Sequence, residues 1–169
     1  RFDFLRHAPI FVLVMCFLVM NAILASPWRL GVSIQKFRGD PYCLPEWFYL
    51  VRHGIDHVPQ RGDYILGAMP ANDLGVGPKA GAAIVKRVIG IPGDTITIQG
   101  TDLYINGHFI DRLWLAKSIT GRTPESFQTS YTLGKNQFFV YGREHESFDS
   151  RYWGPLDGEN IRGFVIPLF

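Results

Sequence analysis

"KRVIGIPGDTITIQGTDLYINGHFI", residues 86–110, is made of short runs of branched and aromatic residues broken by two turn signals, Pro92-Gly93 and Asn106-Gly107. Such runs suit a pleated, half-buried strand. Asn-Gly is the pair whose backbone most easily takes the positive φ of a two-residue hairpin turn. Strands are therefore expected over Ala82–Ile89 and Thr95–Ile98, with a hairpin from Leu103 to Ile110. Runs of the same kind lie at Trp47–Arg52, Tyr64–Ala68, Phe138–Tyr141 and Gly163–Ile166. "PANDLGVGPKAG" (70–81) and "KSITGRTPESFQTS" (117–130) are polar, aperiodic and rich in turn formers, and read as surface loops. The fold class is mainly β.

The 169 residues suit one domain of ordinary size. The net charge of +2 is spread along the chain without a basic block, which argues against nucleic acid as a partner. "APIFVLVMCFLVMNAILA" (Ala8–Ala25) carries no charge. It reads as one N-terminal transmembrane helix, so residues 1–30 are expected to form a membrane anchor and residues 31–169 a separate folded domain. A cleaved signal peptide is the competing reading. Arg1 and Arg6 before the span and Arg29 after it leave its orientation open. With Cys16 inside the span and Cys43 well outside it, the two cannot approach closely enough for a disulfide. Cys43 is expected to be a free thiol.

Two clusters suggest chemistry. Lys86 sits among Ile84, Val85, Val88 and Ile89. If it points inward it loses hydration, which favours the neutral amine that a general base requires. The stretch alone leaves open whether Lys86 or Arg87 faces inward. In "SFDSRYWG" (147–154), Ser147, Asp149 and Arg151 alternate, so an extended chain would present all three on one side. Taken alone, Asp149 and Arg151 read as a structural ion pair. Ser33 is a weaker nucleophile candidate and His145 a weaker base. His53 and His57 have an i,i+4 spacing, but Gly54 and the loop-like "HGIDHVPQRG" argue against a helix and hence against a metal site. No cofactor is implied.

Together with "CLPEWFYLV" (43–51) and "RGDYIL" (61–66), these clusters resemble the ordered boxes of the type I signal peptidases, membrane-anchored serine/lysine-dyad endopeptidases. The likeness is greatest to the TraF-type branch that serves conjugative transfer. It implies a signal-peptidase-type antiparallel β fold after one transmembrane helix. It also implies Lys86 as general base, Ser147 as the hydroxyl that orients its ammonium, and Asp149 with Arg151 as a bracing pair. It places Cys43 where the family has its nucleophilic serine. The expected setting is a single-pass protein of the bacterial inner membrane with its catalytic domain in the periplasm. The expected substrate is a secreted, pilin-like precursor that is cleaved and, in such relatives, cyclised.

The departures bear on chemistry. "GREHES" (142–147) replaces the usual Gly-Asp-Asn approach to the serine. Pro41, which has no donor, stands where some members have a serine that assists the oxyanion hole. Oxyanion stabilisation would then fall on backbone N–H groups, chiefly that of Cys43. Thiols ionise near 8.5 and lysines near 10.4, so a Cys/Lys pair can rest as thiolate and ammonium, and cysteine can work in a site built for serine. The alternative function is a catalytically impaired homologue that binds the precursor and presents it to the conjugation or secretion machinery.

Overall fold

The computed structural model describes residues 4–33, 44–115, 121–144 and 147–168, with side chains from residue 11 onward. Cys43 and His145 lie outside the described residues. A helix, α1 (Phe4–Ala25), leads into eleven strands: β1 (Trp28–Val32), β2 (Phe48–His53), β3 (Tyr64–Ala68), β4 (Ala83–Gly90), β5 (Thr95–Gln99), β6 (Asp102–Ile105), β7 (His108–Arg112), β8 (Thr129–Thr132), β9 (Gln137–Tyr141), β10 (Leu156–Asp157) and β11 (Ile161–Pro167). A single helical turn, α2 (Ser150–Trp153), precedes β10. The strands form two sheets in the orders β1-β2-β11-β3-β4-β9-β10 and β7-β6-β5-β8. Every pairing is antiparallel.

All the strands expected from the sequence are present, most with ends moved by one or two residues. Asn106 (φ 54°) and Gly107 (φ 77°) turn the β6–β7 hairpin. Two readings need correction. Trp28–Val32, where the sequence reading expected no strand, forms β1, an edge strand in register with Arg52–Phe48 of β2. The loop expected at 117–130 contains a 3₁₀ turn at Pro124–Phe127 and the start of β8, whose Thr129–Thr132 backbone pairs with β5. Polar, hydroxyl-rich strands of this kind lack the apolar signal by which strands are read. Thr95 and Thr132, and Thr97 and Ser130, join hydroxyls across that pair at 3.2 and 3.1 Å.

Strand β9 holds the two sheets together. Phe138 and Val140 pack with Ile65, Val88, Leu156, Ile161 and Phe164 on one side. On the other side Phe139 packs with Ile96 and Leu103 of the second sheet and with Phe127 and Leu133, which flank β8. A strand buried on both faces reads as a continuous apolar run, as "FFVY" does. At Gly90, where β4 passes from one sheet toward the other, an added Cβ would lie 2.8 Å from the Phe139 Cβ. Only glycine allows so close an approach.

Among the described residues no helix is long and apolar enough to cross a membrane. The described side chains of α1, Phe11–Ala25, cover about 22 Å of helix. All of them are exposed.

Asp94 locks the turn between β4 and β5. Its carboxylate accepts from the Ile91 N–H (2.7 Å), the Asn106 amide (2.8 Å) and Arg61 (2.7 Å). Burial pushes this carboxyl up, but those three donors outweigh it and hold the group below its ordinary value. A depressed folded-state pKa contributes stability that is present above the unfolded value near 4 and is lost as pH falls through the folded one. Asp94→Asn is expected to lower the urea midpoint at neutral pH. The gap between variant and parent should narrow steadily as pH falls from about 5 toward 2.

Candidate active site

Strand β4 settles the question that its sequence left open. Ile84, Lys86 and Val88 are buried in alternation while Arg87 is exposed, so Lys86 points inward. Its side chain has no exposed surface. The strand is clamped in place by the residues just before β3, where Gly62 N–H donates to the Val88 carbonyl and Val88 N–H to the Asp63 carbonyl, both at 2.8 Å. Arg61 reaches the Ile89 carbonyl and Asp94 from the same short segment. The "RGDY" stretch thus fixes the position of the lysine strand.

The Lys86 Nζ donates to the Ser147 Oγ at 2.8 Å, across 61 residues of sequence. Ser147 is 1% exposed. Its backbone N–H donates to the Glu144 carbonyl at 3.1 Å.

Asp149 and Arg151 do form a pair, though not on an extended chain. Asp149 is the N-cap of α2, and its carboxylate accepts from the Arg151 backbone N–H. An aspartate placed before a helical turn satisfies a donor that the turn itself leaves open, and this outcompetes the extended conformation that alternate spacing suggested. Asp149 Oδ1 also accepts from Arg151 Nε (2.7 Å), and Oδ2 from Arg151 Nη2 (2.8 Å) and the Gly142 N–H (2.8 Å). Arg151 in turn donates to the Gly142 carbonyl at 2.9 Å. The end of β9 and the start of α2 are therefore bolted together on both sides of Ser147. Burial works against the guanidinium charge, but Asp149 outweighs it and holds Arg151 above its usual value.

Two contributors escaped the sequence reading. The Arg151 guanidinium lies 4.2 Å from the centroid of the Tyr141 ring, and the Tyr141 hydroxyl donates to Asp111 of β7 at 2.6 Å. Nothing in the sequence links positions 111 and 141. Burial pushes the Tyr141 phenol up; Arg151 opposes this and Asp111 adds to it, so the phenol stays protonated.

The described chain resumes at Leu44, which is buried with Tyr49, Val51 and Val165 in a cluster that Val85, the neighbour of Lys86, also packs against. Ser33 closes the β1–β2 pair through its N–H to the Trp47 carbonyl. His57 is stacked on Phe164 with its nitrogens toward Asp56 and Asp63.

The family described as signal peptidase, peptidase S26, matches residues 5–169. The chain belongs to that family. It is 29% identical to signal peptidase I of Leptolyngbya laminosa, over 66% of this chain and 53% of that protein. It is 35% identical to signal peptidase I V of Bacillus subtilis, over 48% and 55% respectively. The plasmid transfer protein TraF of Escherichia coli is 26% identical over 83% of this chain and 74% of its own length. The chain thus spans about half the length of the first two and more of TraF. A solved signal peptidase I of Enterococcus faecalis V583 is 27% identical, covering 66% of this chain and 98% of that one, with a TM-score of 0.43. The family match and the similarity to TraF bear out the signal-peptidase, TraF-related reading of the sequence, and the two antiparallel sheets bear out its mainly β class.

Within this S26 domain the Asp149–Arg151 pair has almost no solvent contact, so removing one partner strands the other charge. Asp149→Ala is expected to destabilise the protein by about 3–5 kcal/mol, measured from urea unfolding. Arg151→Lys should also be costly, because an ammonium cannot reproduce the forked contacts.

Proposed function

We propose that this chain is a membrane-anchored endopeptidase whose Cys43 and Lys86 form a nucleophile/base dyad. Its substrate is a secreted precursor, a pilin or another conjugation protein. The observation that carries the reading is the Lys86 Nζ to Ser147 Oγ bond at 2.8 Å between two fully buried groups in a signal peptidase domain. A protein that only bound the precursor would have no need to bury a lysine and orient its amine. The similarity to TraF favours a role in plasmid transfer.

In this mechanism the Cys43 sulfur, its proton on Lys86, attacks the scissile carbonyl. The tetrahedral oxyanion is met by backbone N–H groups, chiefly that of Cys43. Lys86 returns the proton to the departing amine as the C–N bond breaks, leaving a thioester. Water or a second amine then attacks the thioester, Lys86 takes up its proton, and that proton leaves with the thiol. Ser147 holds the Lys86 amine in line throughout, and Asp149 with Arg151 holds Ser147. A thioester reacts with amines in preference to water far more readily than an ester does. A precursor whose own amino terminus can reach the site should therefore be joined head to tail, proximity raising its effective concentration.

Incubation with a panel of pilin precursors and intact-mass analysis tests this reading. Cleaved product, with a form lighter by one water when the amino terminus is accessible, is the expected result. Lys86→Ala should abolish turnover, and Lys86→Arg should not restore it, since a guanidinium stays protonated. Cys43→Ser should change the pH–rate profile, because a serine needs a neutral lysine and a thiol does not.

The anchor is the second half of the proposal. The uncharged stretch Ala8–Ala25, part of it beyond the described side chains, falls in the range of about 17–25 residues that a membrane span needs. It has Asn21 as its only strongly polar side chain, and its described side chains, Phe11–Ala25, are exposed. Such a helix belongs in a core or a membrane. We place α1 in the bacterial inner membrane and the strands from β1 onward in the periplasm. A reporter fused after residue 169 should be active in the form that works in the periplasm and silent in the form that works in the cytoplasm.

A further inference from the structure

We infer that Tyr141 and Asp111 are positioning residues of the active site, tying the second sheet to the group that orients Lys86. This rests on the dyad reading above. Arg151 has three sides. Two are fixed in its own plane, by the forked contact with Asp149 and the bond to the Gly142 carbonyl. In-plane bonds set where the guanidinium lies but do little to resist its tilting. The face of the Tyr141 ring, 4.2 Å away, supplies that restraint.

The ring is itself held. Its hydroxyl donates to the Asp111 carboxylate at 2.6 Å, a short charge-assisted bond. Asp111 comes from β7, the edge of the four-stranded sheet, and Tyr141 from β9 of the seven-stranded sheet. The bond therefore fixes the two sheets against each other at the point where β9 runs into Gly142 and on to Ser147. Charged groups on both sides hold the ring: Asp111 at its hydroxyl, and the Asp149-paired Arg151 against its face. Loosening the ring frees Arg151 to tilt, which loosens Asp149 and the Gly142–Ser147 segment. The Lys86 amine then loses its alignment although every residue that contacts it is unchanged.

The test reads Cys43 chemistry without needing a substrate. In a Cys16→Ser background, the full chain in detergent is alkylated with iodoacetamide across the neutral to alkaline range and followed by intact mass. Only the thiolate reacts, so the pH midpoint reports how well the Lys86 ammonium supports it. Lys86→Met and Ser147→Ala should move the midpoint to higher pH. Tyr141→Phe keeps the ring and removes the tether, and Asp111→Ala removes its acceptor. Each should move the midpoint the same way by about half a pH unit or more, and the two together should move it no further than one alone. Asp111→Asn, which keeps an acceptor oxygen, should recover part of the shift.

If Lys86→Met shifts the midpoint while both tether variants leave it at the parent value, the positioning role is overturned and the dyad stands. A tether variant that lowers the melting temperature without moving the midpoint overturns the role in the same way, the bond then being structural only. If Lys86→Met also leaves the midpoint unmoved, the dyad fails and takes this role with it.

Discussion

A lysine side chain with no exposed surface is the constraint to which the rest of the domain answers. Removing an amine from water is costly in either protonation state unless a partner meets it. Lys86 comes from the middle of a sheet and Ser147 from a connection 61 residues later. The serine must be held where the lysine ends, by structure that does not depend on the lysine. The Asp149–Arg151 pair supplies this, because it joins the backbone on either side of Ser147 with bonds that are themselves out of solvent.

That arrangement uses one carboxylate for two purposes. Asp149 caps the α2 turn and pairs with Arg151, and the cap sets the direction from which Arg151 returns to Gly142. A shift of register by one residue would break both. The lysine side is held as firmly, since the clamp of Gly62 and Asp63 on Val88 and the Asp94 lock at the next turn fix β4 immediately after Lys86. Both ends of the Lys86–Ser147 bond are thus anchored to backbone, which is what preorganised proton transfer requires.

The strands were legible in the sequence where their residues were branched or aromatic, and the Asn106-Gly107 hairpin was legible because only a few dipeptides suit its φ angles. β8 was not, because its residues are Thr, Ser and Tyr and its existence depends on the pairing with β5. β1 was hidden behind an apolar helix whose continuation as strand has no local signal. For the site, Lys86, Ser147, Asp149 and Arg151 were legible as a set only through their resemblance to ordered family boxes. The strand text of Lys86 could not choose its face, and alternation misled about α2 because a side-chain cap overrides it. Tyr141 and Asp111 were beyond reach, since a bond between two sheets has no expression in either local stretch.

The junction between α1 and β1 carries a last consequence for the proposed anchor. Only Ser26 and Pro27 separate the two elements. Arg29 of β1 turns back to donate to the carbonyls of Ile23, Leu24 and Ser26, of which Ile23 and Leu24 lie in the last turn of α1, where a helix leaves its acceptors open. The helix end and the edge strand are thereby joined by side-chain bonds as well as by the chain. β1 pairs with β2, and β2 with β11, so there is no flexible linker between α1 and the sheet that carries Lys86. If α1 spans the bilayer, the lysine strand is joined to it through paired strands rather than through a tether of variable length.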